Sequence, residues 1–141
     1  MEREEQFLAV PCHESGHALV AKALEGEVLK QTVVPEGDCL GYVLVSFERF
    51  PLHEKISRMM ATLAGGFVAE EKIGKRDHSG CGSDMDKLDF LASYASRFLY
   101  CGQVSAEHLK SRAFALASQV LSSLSLLHYR ASILSQKKVI T

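Results

Sequence analysis

Little in this 141-residue chain is present in excess. Sixteen basic residues stand against seventeen acidic ones, for a net charge of −1. No one-signed field therefore points to nucleic acid or to an anionic membrane surface. The four cysteines (Cys12, Cys39, Cys81, Cys101) include no Cys-x-x-Cys pair. This argues against a disulfide framework and for reduced thiols in a cytoplasmic setting. The longest uncharged run, residues 113–129, contains Ser, Gln and His and is too short and polar to span a bilayer. The start, Met1-Glu2-Arg3-Glu4-Glu5, is charged and unlike a secretory signal. There is no internal repeat and no low-complexity linker. A hydrophobic content of 47% over this length suits one domain, residues 1–141, with its own core.

Against that background one stretch stands out, Cys12-His13-Glu14-Ser15-Gly16-His17-Ala18. His13 and His17 are four residues apart, so on an α-helix both imidazoles point from one face toward a common metal ion. Glu14 is rotated by about 100° from His13, beside such an ion rather than on it. A carboxylate there can take a proton from water activated by the metal and return it to a leaving amine. Apolar residues at Phe7, Val10, Leu19, Val20, Ala23 and Leu24 suit a buried helix. Gly16 within it suggests close backbone approach, since glycine costs about 1 kcal/mol against alanine in a helix.

The first helix is expected from about residue 4 to 24, beginning or kinking at Pro11 and capped near Gly26. Residues 28–34 and 40–47 read as two strands around the turn cluster Pro35-Glu36-Gly37-Asp38. The exposed edge of such a hairpin can accept an extended peptide as an added strand. Ile56, Met60, Leu63 and Phe67 mark a second helix, interrupted by Gly65-Gly66. A polar, glycine-rich loop over 74–82 leads into a third helix near Ser83 and Asp84, which ends around Cys101-Gly102. Residues 106–136 read as one or two core-packing helices with no chemistry of their own. The fold class is mainly α, a helical metal-peptidase domain with a small β hairpin.

A catalytic zinc takes three protein ligands and keeps one open position. The candidates for the third ligand are Glu70, Glu71, Asp77, His78, Asp84, Asp86 and Asp89, and spacing alone does not choose among them. Asp84 is notable for standing where a loop enters a helix, which is also where an ordinary helix-capping aspartate stands.

Four ordered segments, HESGHALVA, VVPEGDCLGYVL, LAGGFVAEEKIG and SGCGSDMDKL, together resemble the peptidase domain of the FtsH-type AAA proteases, from about Phe7 to Tyr100. Residues 134–140 resemble, more weakly, that family's closing helix. The resemblance implies zinc held by His13, His17 and Asp84, with Glu14 as general base and the strand at Gly41, Tyr42 and Val43 beside the substrate. The implied function is endopeptidase action on flexible or unfolded polypeptides. Partners implied are a possible homo-oligomer and a possible separate ATPase, because the sequence contains no Walker loop (G-x-x-x-x-G-K-S/T) and no membrane span. Two positions depart from the family pattern: Cys12 stands where an aromatic residue is common, and Ser83 where asparagine is usual. Cys12 and Cys81 lie close to the implied ligands, where a thiolate can bind metal or respond to oxidation, although buried inert cysteines are commoner. The competing reading is a zinc-binding module without turnover of its own, regulatory or dependent on a partner.

Overall fold

The computed structural model describes residues 2–34, 41–73 and 84–140, and for residues 2–9, 73 and 124 the backbone alone. The elements run α1 (Glu2–Ala23), β1 (Glu27–Thr32), β2 (Tyr42–Ser46), α2 (Leu52–Ile73), α3 (Asp84–Tyr94), a π-helical turn (Ala95–Leu99), α4 (Ala106–Val120), α5 (Leu124–Lys137) and β3 (Val139–Ile140). The domain is mainly helical with one small antiparallel sheet, in strand order β2-β1-β3. The expected turn at 35–38 and loop at 74–82 lie outside the described residues, as do Cys39, Cys81 and Ser83.

Helix α1 forms the axis of the fold. From Pro11 to Ala21 almost every residue is buried, because α2, α4, α5 and the strands β1 and β2 all pack on it. A helix enclosed this way needs no polar stripe. Its closest neighbour is α2. A Cβ on Gly16 would lie 2.3 Å from the Gly65 carbonyl oxygen, and one on Gly65 would lie 2.7 Å from that of Gly16. The two helices therefore touch backbone to backbone, as Gly16 suggests in the sequence. Below this crossing, Val20, Ile56, Met60, Ala64, Leu88, Leu109, Leu121 and Leu127 form a continuous core.

Three expectations are corrected. Helix α1 starts at Glu2 and not at Pro11, which lies inside it; one missing amide hydrogen bond is tolerable in a helix held by packing on all sides. The left-handed residue that ends α1 is Glu25 (φ 65°), with Gly26 N–H donating to the Ala21 carbonyl and Glu25 N–H to that of Lys22, a Schellman pair. Gly26 is needed for another reason: a Cβ there would meet the Phe47 ring at 2.4 Å. Finally, residues 134–140 are not all helix. Lys138 turns the chain at φ 67°, and β3 then pairs with β1 at Gln31↔Ile140 and Thr32↔Val139. The expected hairpin is thus a three-stranded sheet. The helical stretch that starts at Asp84 ends near its expected limit, but its last turn is π-helical. Residues 106–136 divide into two helices, each capped by a serine: Ser105 Oγ accepts from His108 N–H and Ser123 Oγ from Leu126 N–H.

Candidate metal centre

His13 and His17 project from buried α1 toward α2 and the first residue of α3. The Nε2 atoms of His13 and His17 are 3.0 Å apart, and Asp84 Oδ2 lies 2.9 Å from the first and 3.0 Å from the second. Among the described residues this is the one cluster of His, Cys, Asp or Glu whose donor atoms converge tightly enough to hold a metal ion.

The other ring nitrogens fix what those three atoms present. His17 Nδ1–H donates to the Thr62 carbonyl at 2.6 Å, and a carbonyl oxygen can only accept, so Nε2 of His17 carries a lone pair. His13 Nδ1–H donates to Glu70 Oε1 at 2.5 Å, so in the neutral ring Nε2 of His13 carries a lone pair too, and without a metal it takes up the proton that it donates to Asp84. With both rings neutral, two imidazole lone pairs and a carboxylate oxygen thus face one point. Such an arrangement is repulsive unless a cation or proton lies between the donors. Zinc bound tetrahedrally at about 2.0–2.1 Å separates its ligand atoms by roughly 3.3 Å, within a few tenths of an ångström of this triangle.

The surrounding charge agrees. Burial disfavours a charged His13, but its hydrogen bonds to Asp84 and Glu70 and the charges of Glu14 and Glu70 outweigh this and raise its pKa to about 10. Burial would raise the pKa of Asp84, yet hydrogen bonds and charge from His13 and His17 hold it well below the usual carboxylate range. A site that so strongly favours positive charge on a buried imidazole also favours a dication.

Space for the ion comes from Gly66. A Cβ there would lie 2.6 Å from Nε2 of His13 and 2.6 Å from both Cε1 and Nε2 of His17. The rings cannot retreat without breaking their bonds to Glu70 and Thr62. Gly66→Ala should therefore weaken zinc by more than the roughly 10–100-fold typical of losing an outer hydrogen-bond partner, while circular dichroism stays native. Full zinc content and unchanged chelator competition in this variant would place the ion elsewhere.

The seven candidates for the third ligand now separate. Asp84 joins the two histidines. Glu70 instead binds the far side of His13, Glu71 is exposed, Asp86 lines the neighbouring cleft, and Asp89 pairs with Lys110 Nζ at 2.8 Å. Asp77 and His78 lie outside the described residues. Sequence reasoning missed Thr62, whose role is played by a backbone carbonyl that no residue type reveals. Gly66 was visible only as a helix interruption.

Beside the three donors opens a cleft of about 570 Å³. Glu14 and His17 form its base, residues Gly41 to Val45 one wall, and α2 and α3 the other. Glu14 is 3% exposed, and a Cβ on Gly41 would come within 3.3 Å of its Cγ, so β2 enters the sheet directly beside that carboxylate.

The family model of Peptidase family M41 matches residues 1–98. This chain belongs to that family. Among similar proteins are the ATP-dependent zinc metalloprotease FtsH of Cutibacterium acnes, 36% identical over 63% of this chain, and that of Neorickettsia risticii, 37% identical over 64%. The ATP-dependent zinc metalloprotease FTSH 11, chloroplastic/mitochondrial, of Arabidopsis thaliana is 36% identical over 71% of the chain. The chain spans 13–15% of the length of these relatives. The M41 match includes α1, both strands of the hairpin, α2 and α3; α4, α5 and β3 lie beyond it. Among the described residues no helix is long and apolar enough to cross a membrane.

Proposed function

We propose that this M41 chain is a zinc-dependent endopeptidase module that cuts flexible or unfolded polypeptides, with His13, His17 and Asp84 as metal ligands and Glu14 as general base. The observation that carries this reading is the convergence of three lone-pair donors at the floor of a cleft bounded by a strand edge. When bound there, zinc would supply Lewis acidity toward a carbonyl oxygen and toward water. The protein's own part is to hold and move the proton. Glu14 accepts it from the attacking water and delivers it to the amine that leaves.

The sheet supports this substrate class. Among the described residues β2 pairs only with β1, which leaves its other edge to a peptide added as an extended strand. A segment already paired in a helix or sheet cannot offer its backbone in this way, so the reading favours unfolded chain. Phe90 on α3 is 69% exposed and Leu44 on β2 is 50% exposed, and both line the cleft. Exposed apolar side chains on the two walls are suited to holding apolar substrate side chains between them. Phe90→Ser should raise KM for such a peptide by about tenfold, because the ring on the α3 wall then no longer shields the peptide's apolar side chains from water, with kcat and zinc content unchanged. An unaltered KM would remove Phe90 from the substrate path. Delivery of unfolded chain by an ATP-driven segment or partner, and self-association, belong to the same proposal.

The direct test is cleavage of an unstructured, quenched-fluorescence peptide library by the zinc-loaded protein. Products with internal cuts support the endopeptidase reading. One zinc per chain with no cleavage would overturn it in favour of a zinc module without turnover of its own.

A further inference from the structure

The part of the chain beyond the M41 match holds one end of a buried polar relay that reaches the metal helix. Gln31 of β1 and Ser15 of α1 are both fully buried. Arg130 of α5 is half-buried and donates from Nε and Nη2 to Gln31 Oε1, at 3.0 and 2.7 Å. Gln31 Nε2 donates in turn to Ser15 Oγ at 3.3 Å. The amide orientation is forced. A guanidinium has only donors, so it must meet the amide oxygen, and the amide nitrogen is left to face the serine. Ser15 follows Glu14 and lies two residues from each histidine ligand.

The other side of Gln31 is the sheet. Gln31 is opposite Val43 of β2, and Thr32 is opposite Tyr42; both partners line the cleft. The same two residues of β1 pair with β3, and Val33 N–H donates to the Lys138 carbonyl at 2.8 Å. The segment that follows α4 therefore grips β1 at one place by side chain and by backbone, opposite the residues proposed to receive substrate.

We infer that Arg130 is a positioning residue: acting through Gln31 and Ser15, it sets the offset between the cleft strand β2 and the metal-bearing turn of α1. This rests on the function proposed above and adds a duty for the C-terminal segment. The relay is worth having because a peptide lying along β2 must bring its carbonyl to a fixed point at the metal, and small misplacement of a reacting group is expensive in rate. Arginine suits the task better than lysine, since its planar fork holds the amide oxygen with two donors instead of one.

The test compares two inhibitors that share a metal-binding group. Acetohydroxamate reaches only the metal, whereas a peptidyl hydroxamate also needs the strand. Arg130→Met keeps the aliphatic stem and removes both donors. It should weaken the peptidyl hydroxamate by about tenfold and leave acetohydroxamate within about twofold. Gln31→Glu, whose carboxylate still accepts from Arg130 and can accept from the Ser15 hydroxyl, should keep the wild-type ratio of the two affinities. If Arg130→Met does not fold, Arg130→Lys, with a single point-like donor, should show the same split to a smaller degree. Amide hydrogen exchange without added metal gives an independent reading: faster exchange across Tyr42–Ser46 in the Arg130 variant, with α2 and α4 unchanged. Equal loss of both inhibitors, or of neither, overturns the inference, as does unchanged exchange in β2. Wild-type protein that binds both hydroxamates but cuts no peptide would instead refute the endopeptidase reading and leave the positioning result intact. If the wild type takes up no zinc, the exchange comparison decides alone.

Discussion

Glu14→Gln should abolish peptide cleavage while zinc stays bound. Glutamine fills the same volume at the base of the cleft and keeps one acceptor oxygen, but it cannot take up a proton at neutral pH. A positioned acid–base group contributes on the order of 10²–10⁴-fold, and because Glu14 is asked to serve at both ends of the proton's path, the loss should fall in the upper half of that range. Zinc should remain near one per chain, since Glu14 is not among the three converging donors. A modest weakening is expected, because its negative charge is one of those that favour positive charge on His13. Peptidyl hydroxamate binding should persist for the same reason. The measurement is product formation under single-turnover conditions, with metal content read on the same sample. Retained turnover would mean that another group activates water, and Asp86, which also lines the cleft, would be the first to examine.

What the sequence reveals of this site depends on how far apart its members lie along the chain. His13 and His17 share one helical face, so their spacing alone predicts that both can reach one ion. Asp84 lies 71 residues beyond His13, and no local pattern distinguishes it from six other acidic or imidazole side chains. Only the resemblance selected it, and in the structure it is Asp84 that stands with the two histidines. Glu70 shows why local reasoning stopped there. It is an acid on the neighbouring helix within reach of His13, as a ligand would be, yet it meets the opposite nitrogen of the ring. Which nitrogen a carboxylate approaches depends on how α2 lies against α1, and the two helices meet backbone to backbone at Gly16 and Gly65.

The fold was legible to the same degree. Apolar periodicity gave the helices, and alternation with β-branched residues gave β1 and β2. A helix start at Pro11 is what propensity predicts for an isolated helix, whereas α1 is held on every side by other elements and runs through it. The two-residue strand β3 is too short to leave a pattern. The relay through Arg130 was invisible for a related reason: an arginine on a C-terminal helix reads as solvated surface until the sheet is seen to pass beneath it. The chemistry withheld from the C-terminal third in the sequence reading thus returns as geometry, through one buried glutamine.

The roles assigned to Asp84 and Glu70 predict a graded loss of metal. Asp84→Ala removes one of three ligands together with the only anionic one, and should weaken zinc far beyond the roughly 10–100-fold expected from loss of an outer partner. Glu70→Ala falls within that range. It leaves all three donors in place but deprives the His13 ring of the acceptor that fixes Nδ1–H and so directs Nε2 at the ion. Glu70→Gln should lie between Glu70→Ala and the wild type, since its amide oxygen still accepts from Nδ1–H without the carboxylate's charge. Glu71→Ala, one residue on but exposed, should change nothing. Competition with a chromogenic chelator gives the affinities, and metal analysis gives the stoichiometry. The order Asp84→Ala, Glu70→Ala, Glu70→Gln, Glu71→Ala is what distinguishes a ligand from the group that orients one. If Asp84→Ala retained wild-type affinity while Glu70→Ala lost the ion, the carboxylate on α2 would be the ligand. The ion would then have to lie between Glu70 and Nδ1 of His13, in place of the hydrogen bond that joins them here and away from the side of the ring that faces His17.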